Sequence, residues 1–253
     1  MDNAGGQHVL KDSWNAPVAP QALLGIVGGM GPLASAEFLK TLYEENRFEV
    51  EQEAPACLLL SDPNVPDRTD AIVRGEEEPV TRWLEFSLRR MQNLGARRVV
   101  IACITMHHFL NRVSAPLRDL TVSLVDLALD EVIASGERWL LLTSRGTRNA
   151  GIFERSERWR QAAPYLVWPS EQDQDELHGA IYRLKKHGEV TQAAELCARL
   201  VHEGGYGVNG FIAGCTEFHL VTKHLQLKPA PERLRSIDPL FLVANRMSTL
   251  VSR

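Results

Sequence analysis

Apolar residues along this chain follow two alternating rhythms: short consecutive runs, and longer stretches in which they recur every three or four positions. The first pattern, bounded by glycine or polar residues, predicts buried strands, and the second predicts amphipathic helices. Residues 23–27 read as a first strand. Gly28-Gly29-Met30-Gly31-Pro32 then turns the chain into a helix, with Pro32 suited to the first helical position and Ala34, Phe38, Leu39 and Leu42 on one face. Residues 57–60 predict a second strand, and 61–78 a long polar connection of the kind that often carries function. Val80, Trp83, Leu84, Leu88 and Met91 predict a helix over 79–94, stopped by Gly95 before a strand at 99–102. Further on, 124–133 reads as mostly helical, Trp139–Thr143 as a strand, and 165–168 as a strand closed by Pro169. Helices are predicted over 175–186 and 191–203, a strand at 210–213, and a short strand at Ser236-Ile237. A last helix carries Leu240, Val243, Ala244, Met247 and Leu250 on one face.

Such alternation defines an α/β fold of parallel sheets covered by helices on both sides. The strand count allows one sheet of eight strands or two of about four. Two cysteines favour the second arrangement. Cys103, in Ala102-Cys103-Ile104-Thr105, and Cys215, in Gly214-Cys215-Thr216-Glu217, stand 112 positions apart, each at the C-terminal end of a buried run. In open parallel sheets that edge binds ligands, and clefts between lobes are common sites. Two equivalent halves facing one substrate, each contributing a thiol, suit the transfer of a proton across a carbon atom.

Composition narrows the function classes. With 253 residues and a net charge of −4, the chain can bury a large core and carries no basic stripe, which argues against nucleic-acid binding. The first twenty residues include Asp2, Lys11 and Asp12 and lack a continuous apolar segment, and no later stretch is long enough for a membrane span. Residues 1–20 read as a flexible arm, and the cytoplasm is the expected location. Four widely spaced cysteines with no Cys-x-x-Cys pair read as free thiols. No metal is expected, because Cys103, Cys215, His107, His108 and His219 lack paired ligand spacing.

Removing an α-proton and inverting the centre needs a base on one face and an acid on the other, roles that a thiolate and a thiol can share. Cys57 and Cys197 read instead as small buried hydrophobes. Thr105 and Thr216 read either as donors to a substrate carboxylate or as strand-end caps.

Six segments, in order, resemble the aspartate/glutamate racemase family: residues 28–34, Pro66-Asp67-Arg68-Thr69, Ala102-Cys103-Ile104-Thr105, residues 141–147, Gly214-Cys215-Thr216-Glu217 and Ile237-Asp238-Pro239. The resemblance implies two flavodoxin-like lobes related by pseudo-symmetry, an active site in the interlobe cleft, no cofactor, and Cys103 and Cys215 as an acid/base pair for 1,1-proton transfer on an amino acid. Aspartate and glutamate are the first substrates it suggests. It also implies that Arg68 holds a substrate carboxylate, that Thr105, Ser144 and Thr216 supply hydroxyls, and that Met30 and Gly29 line the cleft. Glu217 either orients a donor, accepts from the substrate ammonium, or pairs with Arg145 or Arg68. The corresponding division of the chain is 21–120 plus 217–253 for one lobe and 121–216 for the other.

Two departures bear on substrate. Where the family usually has Asn after the first cysteine, this chain has Ile104, and alignment puts Asp175 where some aspartate racemases carry a carboxylate-binding lysine. Asp175 either faces the cleft and repels an acidic substrate or faces solvent. Same-fold hydantoin racemases, maleate cis-trans isomerases and arylmalonate decarboxylases are therefore alternatives, and a catalytically silent metabolite-binding protein is a third. A His107 or His108 imidazole near Cys103 would stabilise a thiolate, whereas His219 reads as structural. A homodimer is a candidate assembly through the helix bearing Trp83 and Phe86, although a core face explains Trp83 equally well.

Overall fold

The computed structural model describes residues 22–229 and 233–252. The arm expected over 1–20 lies outside the described residues. The first sheet contains β1 (Leu23–Gly28), β2 (Cys57–Ser61), β3 (Ala96–Ile101) and β4 (Thr121–Val122), and the second β5 (Trp139–Thr143), β6 (Leu166–Val167), β7 (Phe211–Gly214) and β8 (Ser236–Ile237). Strand order is β2-β1-β3-β4 in one and β6-β5-β7-β8 in the other, all neighbours parallel. Each half therefore repeats the other's topology, with Cys103 following β3 and Cys215 following the equivalent β7. Two sheets of four strands it is, as the cysteine spacing favours.

The helices are α1 (Pro32–Glu45), α2 (Arg68–Arg74), α3 (Glu78–Asn93), α4 (Ala115–Asp119), α5 (Leu124–Ser135), α6 (Arg145–Asn149), α7 (Trp159–Ala162), α8 (Glu171–His187), α9 (Val190–His202), α10 (Phe218–Gln226), α11 (Pro239–Asn245) and α12 (Met247–Ser252). A 3-10 helix over Ile104–Arg112 follows Cys103. Within the polar connection 61–78, α2 is a helix that apolar periodicity does not announce. Asp67 creates it, its Oδ1 accepting from the amides of Thr69 at 2.8 Å and Asp70 at 3.1 Å, and Gly75 ends it in the left-handed region at φ 69°.

Strand alternation sorts the core into three layers. Leu24, Ile26, Val100 and Ala102 point between the sheets, where they meet Leu141 and Ile212 of the second sheet and α1, α5 and α11. Val27, Val99 and Ile101 point outward under α3, and Leu140, Leu142, Phe211 and Ala213 point outward under α8, α9 and α10. The central layer holds the lobes together with apolar contact, leaving the strand C-terminal ends free for a polar site.

Sheet membership divides the chain differently from the expected boundaries. β4, at 121–122, closes the first sheet, and β8, at 236–237, pairs with β7 in the second. The helices α11 and α12 then return to α1 and β3 of the first lobe and pack on α5. A two-residue strand carries too little pattern to show which sheet it joins, and only its pairing gives that.

Candidate active site

Cys103 and Cys215 lie where β3 and β7 end, and both are almost wholly enclosed, at 5% and 6% exposure. Each turns outward from the central layer, in register with the strand before it: Cys103 packs with Met30 and Met106, Cys215 with Ala213 and Phe218. Ile104, the next residue, points the opposite way into the apolar layer between the sheets and is 1% exposed. Its replacement of the family's Asn thus adds to the interlobe core.

The first loop that frames the site needs its glycine. Gly29 has φ 93°, and a Cβ there would sit 2.4 Å from the Asp62 backbone, so only glycine lets β1 pass so close to the end of β2. Met30 follows, buried beside Cys103, and its carbonyl accepts from Arg68 Nη2 at 3.0 Å. Arg68 Nη1 also donates to the Pro66 carbonyl at 3.2 Å, while Nε is buried with no partner. Burial alone would push the Arg68 guanidinium down, but Cys103, Asp67 and Glu217 offset it and hold it above its ordinary value. The guanidinium is thus anchored near Cys103 through Nη1 and Nη2, with Nε left without a partner.

Beside Cys215 the charge is reversed. Its Sγ donates to Glu217 Oε2 at 2.7 Å, and burial followed by the Glu217 carboxylate holds the thiol well above the ordinary thiol value. Glu217 Oε1 has no hydrogen-bond partner; it lies 3.8 Å from Lys185 Nζ and close enough to Gly31 that a Cβ there would be 2.8 Å away. Lys185, on α8, is within electrostatic reach of both thiols. Burial pushes its ammonium down, yet Glu217, Cys215 and Cys103 outweigh that and hold it well above the usual lysine value.

Three buried hydroxyls form a cluster. Thr105 Oγ1 is 2.9 Å from Thr147 Oγ1 and 3.3 Å from Ser144 Oγ, and Ser144 Oγ is 3.1 Å from Thr147 Oγ1. Thr216 is committed elsewhere: it donates to the Ala102 carbonyl at 3.0 Å, tying the second lobe to the end of β3. With its proton used there, the Thr216 hydroxyl has only lone pairs left to offer a further partner. Across the mouth, Tyr182 on α8 donates to Asp67 Oδ2 at 3.1 Å, and Thr69 approaches Gly146 so closely that a Cβ there would lie 2.4 Å from Thr69 Oγ1.

The remaining sequence candidates fall outside the cleft. Asp175 is solvent-exposed and paired with Arg145 Nε at 2.7 Å, with Glu171 adding to the same pair, so it repels nothing at the site, and Arg145 is not Glu217's partner. His107 accepts from the Leu124 amide at Nε2, so the Nδ1 proton points to the Cys103 carbonyl, 3.3 Å away; it steadies the backbone of Cys103, and burial holds its pKa down. His108 bridges Glu77 and Arg155. Cys197 is fully buried in the second lobe's core, and Cys57 is half-buried against the central layer, its thiol pushed up to about 11 by burial. Sequence reasoning misses Lys185, Tyr182 and Thr147. A signal for the first two exists, since His178, Tyr182 and Lys185 recur at helical spacing along one edge of α8.

Among the described residues no three His, Cys, Asp or Glu side chains converge as a metal-ligand set, and no helix is long and apolar enough to cross a membrane.

Two parallel α/β lobes of matching strand order, with a buried thiol at each equivalent strand end, define a two-lobed α/β protein. The chain belongs to the Asp/Glu/Hydantoin racemase family, whose model matches residues 27–245, and this places it among racemases, which are isomerases. Its fold is similar to that of an aspartate racemase from Picrophilus torridus, at TM-score 0.75 and 24% identity over 89% of this chain and 93% of that one. An aspartate racemase homologue from Pyrococcus horikoshii OT3 matches at TM-score 0.63 and 21% identity, covering 92% of this chain and 100% of the other. Allantoin racemase from Klebsiella pneumoniae matches at 0.54 and 16%, covering 91% and 88%.

Proposed function

We propose that the protein racemises an acidic amino acid by 1,1-proton transfer between Cys103 and Cys215, without a cofactor. The observation that supports this most directly is the opposite charge set beside the two thiols. Arg68 accompanies Cys103, and Glu217 accepts the proton of Cys215. A cation set beside one thiol and a carboxylate hydrogen-bonded to the other suit the two unlike roles, abstraction on one face and donation on the other, that inversion requires. In one direction Cys103 takes the α-proton and the Cys215 thiol supplies a proton to the opposite face. The protein ends with a Cys103 thiol and a Cys215 thiolate, and the reverse reaction, or exchange with water, restores the starting state.

An acidic substrate is favoured over a hydantoin-type one by two cations in one buried cleft. Arg68, with its free Nε, suits one carboxylate, and Lys185 suits a second. Free hydroxyl capacity in the Thr105, Ser144 and Thr147 group serves the same substrate oxygens. Glu217 Oε1 and the lone pairs of Thr216 are acceptors for an ammonium group. Incubating the protein with aspartate or glutamate in deuterated water tests the reading: deuterium at the α-carbon with inversion is expected, and Cys103→Ser and Cys215→Ser abolish it. Absence of exchange across a broad amino-acid panel overturns it.

A further inference from the structure

Behind the second thiol lies a buried polar node that the proposed chemistry does not use. His219 Nδ1 is 2.7 Å from Asp238 Oδ2, and its Nε2 is 2.8 Å from Thr41 Oγ1. Hydroxyl, imidazole and carboxylate in that order are the parts of an activated nucleophile. No substrate reaches them, however: Thr41 and His219 are 0% exposed, and the rings of Phe38, edge-on at 6.2 Å, and Phe241, tilted at 4.8 Å, enclose the imidazole. The node joins three elements from both lobes, since Thr41 belongs to α1, His219 to α10, and Asp238 caps α11 by accepting from the Leu240 amide at 2.9 Å. Thr222, one turn further along α10, donates to the same carboxylate.

Backbone hydrogen bonds connect this node to the site. The first turn of α10 bonds straight back to it: the Phe218 amide to the Cys215 carbonyl at 3.0 Å, His219 to Thr216 at 3.1 Å and Leu220 to Glu217 at 3.1 Å. A rotation or slide of α10 therefore carries Cys215, Thr216 and Glu217 with it. At the other end of α1, Gly31 meets Glu217 Oε1. Apolar packing tolerates small slides, whereas a buried network of directed bonds with every member paired admits one arrangement.

We propose that His219 is a positioning residue that fixes Cys215 and Glu217 against the first lobe through Thr41 and Asp238, a role that rests on the two-thiol reading. Thr41→Val, Thr41→Ser and His219→Asn test it, using iodoacetamide alkylation of the full chain with peptide mapping, thermal melting, and α-deuterium exchange. Thr41→Val and His219→Asn are expected to change the ratio of Cys215 to Cys103 alkylation by about threefold or more. They are also expected to lower kcat about 10- to 100-fold with KM nearly constant, as displaced reacting groups do. Thr41→Ser, which keeps the hydroxyl, restores both. Folded Thr41→Val protein with an unchanged alkylation ratio and kcat overturns the proposal, and this arm decides alone if His219→Asn does not fold. Wild-type protein without exchange overturns the racemase reading instead, and the alkylation ratio then still judges the positioning role.

Discussion

Cys215 Sγ, almost wholly buried, donates to Glu217 Oε2 across 2.7 Å, whereas Cys103 lies near the Arg68 guanidinium. The Cys215 thiol is held well above the ordinary value, first by burial and then by that carboxylate. At neutral pH it therefore stays protonated, and its thiolate gains population only as pH rises beyond the usual thiol range of roughly 8–9. Iodoacetamide at pH 7.5 is therefore expected to modify Cys215 slowly. Glu217→Gln removes the negative charge, so Cys215 alkylation is expected to rise and to reach its plateau at lower pH, read by peptide mapping across a pH series. An unchanged Cys215 profile counts against a proton-holding role for Glu217.

Lys185→Met keeps most of the side chain's apolar stem and removes its charge. Losing a charge-assisted contact of about 1.5–3 kcal/mol raises KM for aspartate or glutamate roughly 10- to 150-fold. Asp175→Asn, on an exposed ion pair with Arg145 outside the cleft, leaves KM unchanged. Steady-state kinetics on the two variants tests Lys185, rather than the Asp175 that sequence alignment suggests, as the carboxylate-binding residue of the proposed reaction.

Ile104→Asn restores the residue usual for the family but places an amide in the apolar layer between the sheets, where Ile104 is 1% exposed. Loss of apolar packing together with an unpaired amide is expected to cost about 2–4 kcal/mol. Thermal unfolding should then fall by roughly 5–12 °C. A variant as stable as the wild type would show that the amide finds partners at the cleft.

Asp238 supplies a pH dependence of stability. Burial pushes its carboxyl up, but His219, Thr222 and the Leu240 amide more than offset that, and it is held below the ordinary carboxylate value. A carboxyl lowered in the folded state contributes stability that is present above its unfolded value of roughly 3.9 and is lost as pH falls through the folded value. Asp238→Asn is therefore expected to be less stable than the wild type at pH 7, with the difference shrinking as pH falls below about 4. Urea midpoints for both proteins from pH 7 to pH 3 measure it.

Sequence by itself determined the alternating α/β order, the boundaries of β5 and β8, and the placing of Cys103 and Cys215 at strand ends, because these follow from local apolar runs and the glycines that interrupt them. It also singled out Arg68, Glu217 and Ser144, whose neighbours form recognisable segments. Other features were decided only in three dimensions. The short strands β4 and β8 acquire their sheet by pairing with β3 and β7, and α2 exists through the Asp67 cap rather than through periodicity. Lys185 reaches Glu217 from a helix thirty-two positions earlier, and Asp175, one helical edge away, turns to Arg145 and solvent. Which side of a polar helix faces a cleft depends on what the opposite lobe presents, and no local pattern records that. Tertiary packing therefore decided which charged groups stand beside each thiol, Arg68 near Cys103 and Glu217 on Cys215.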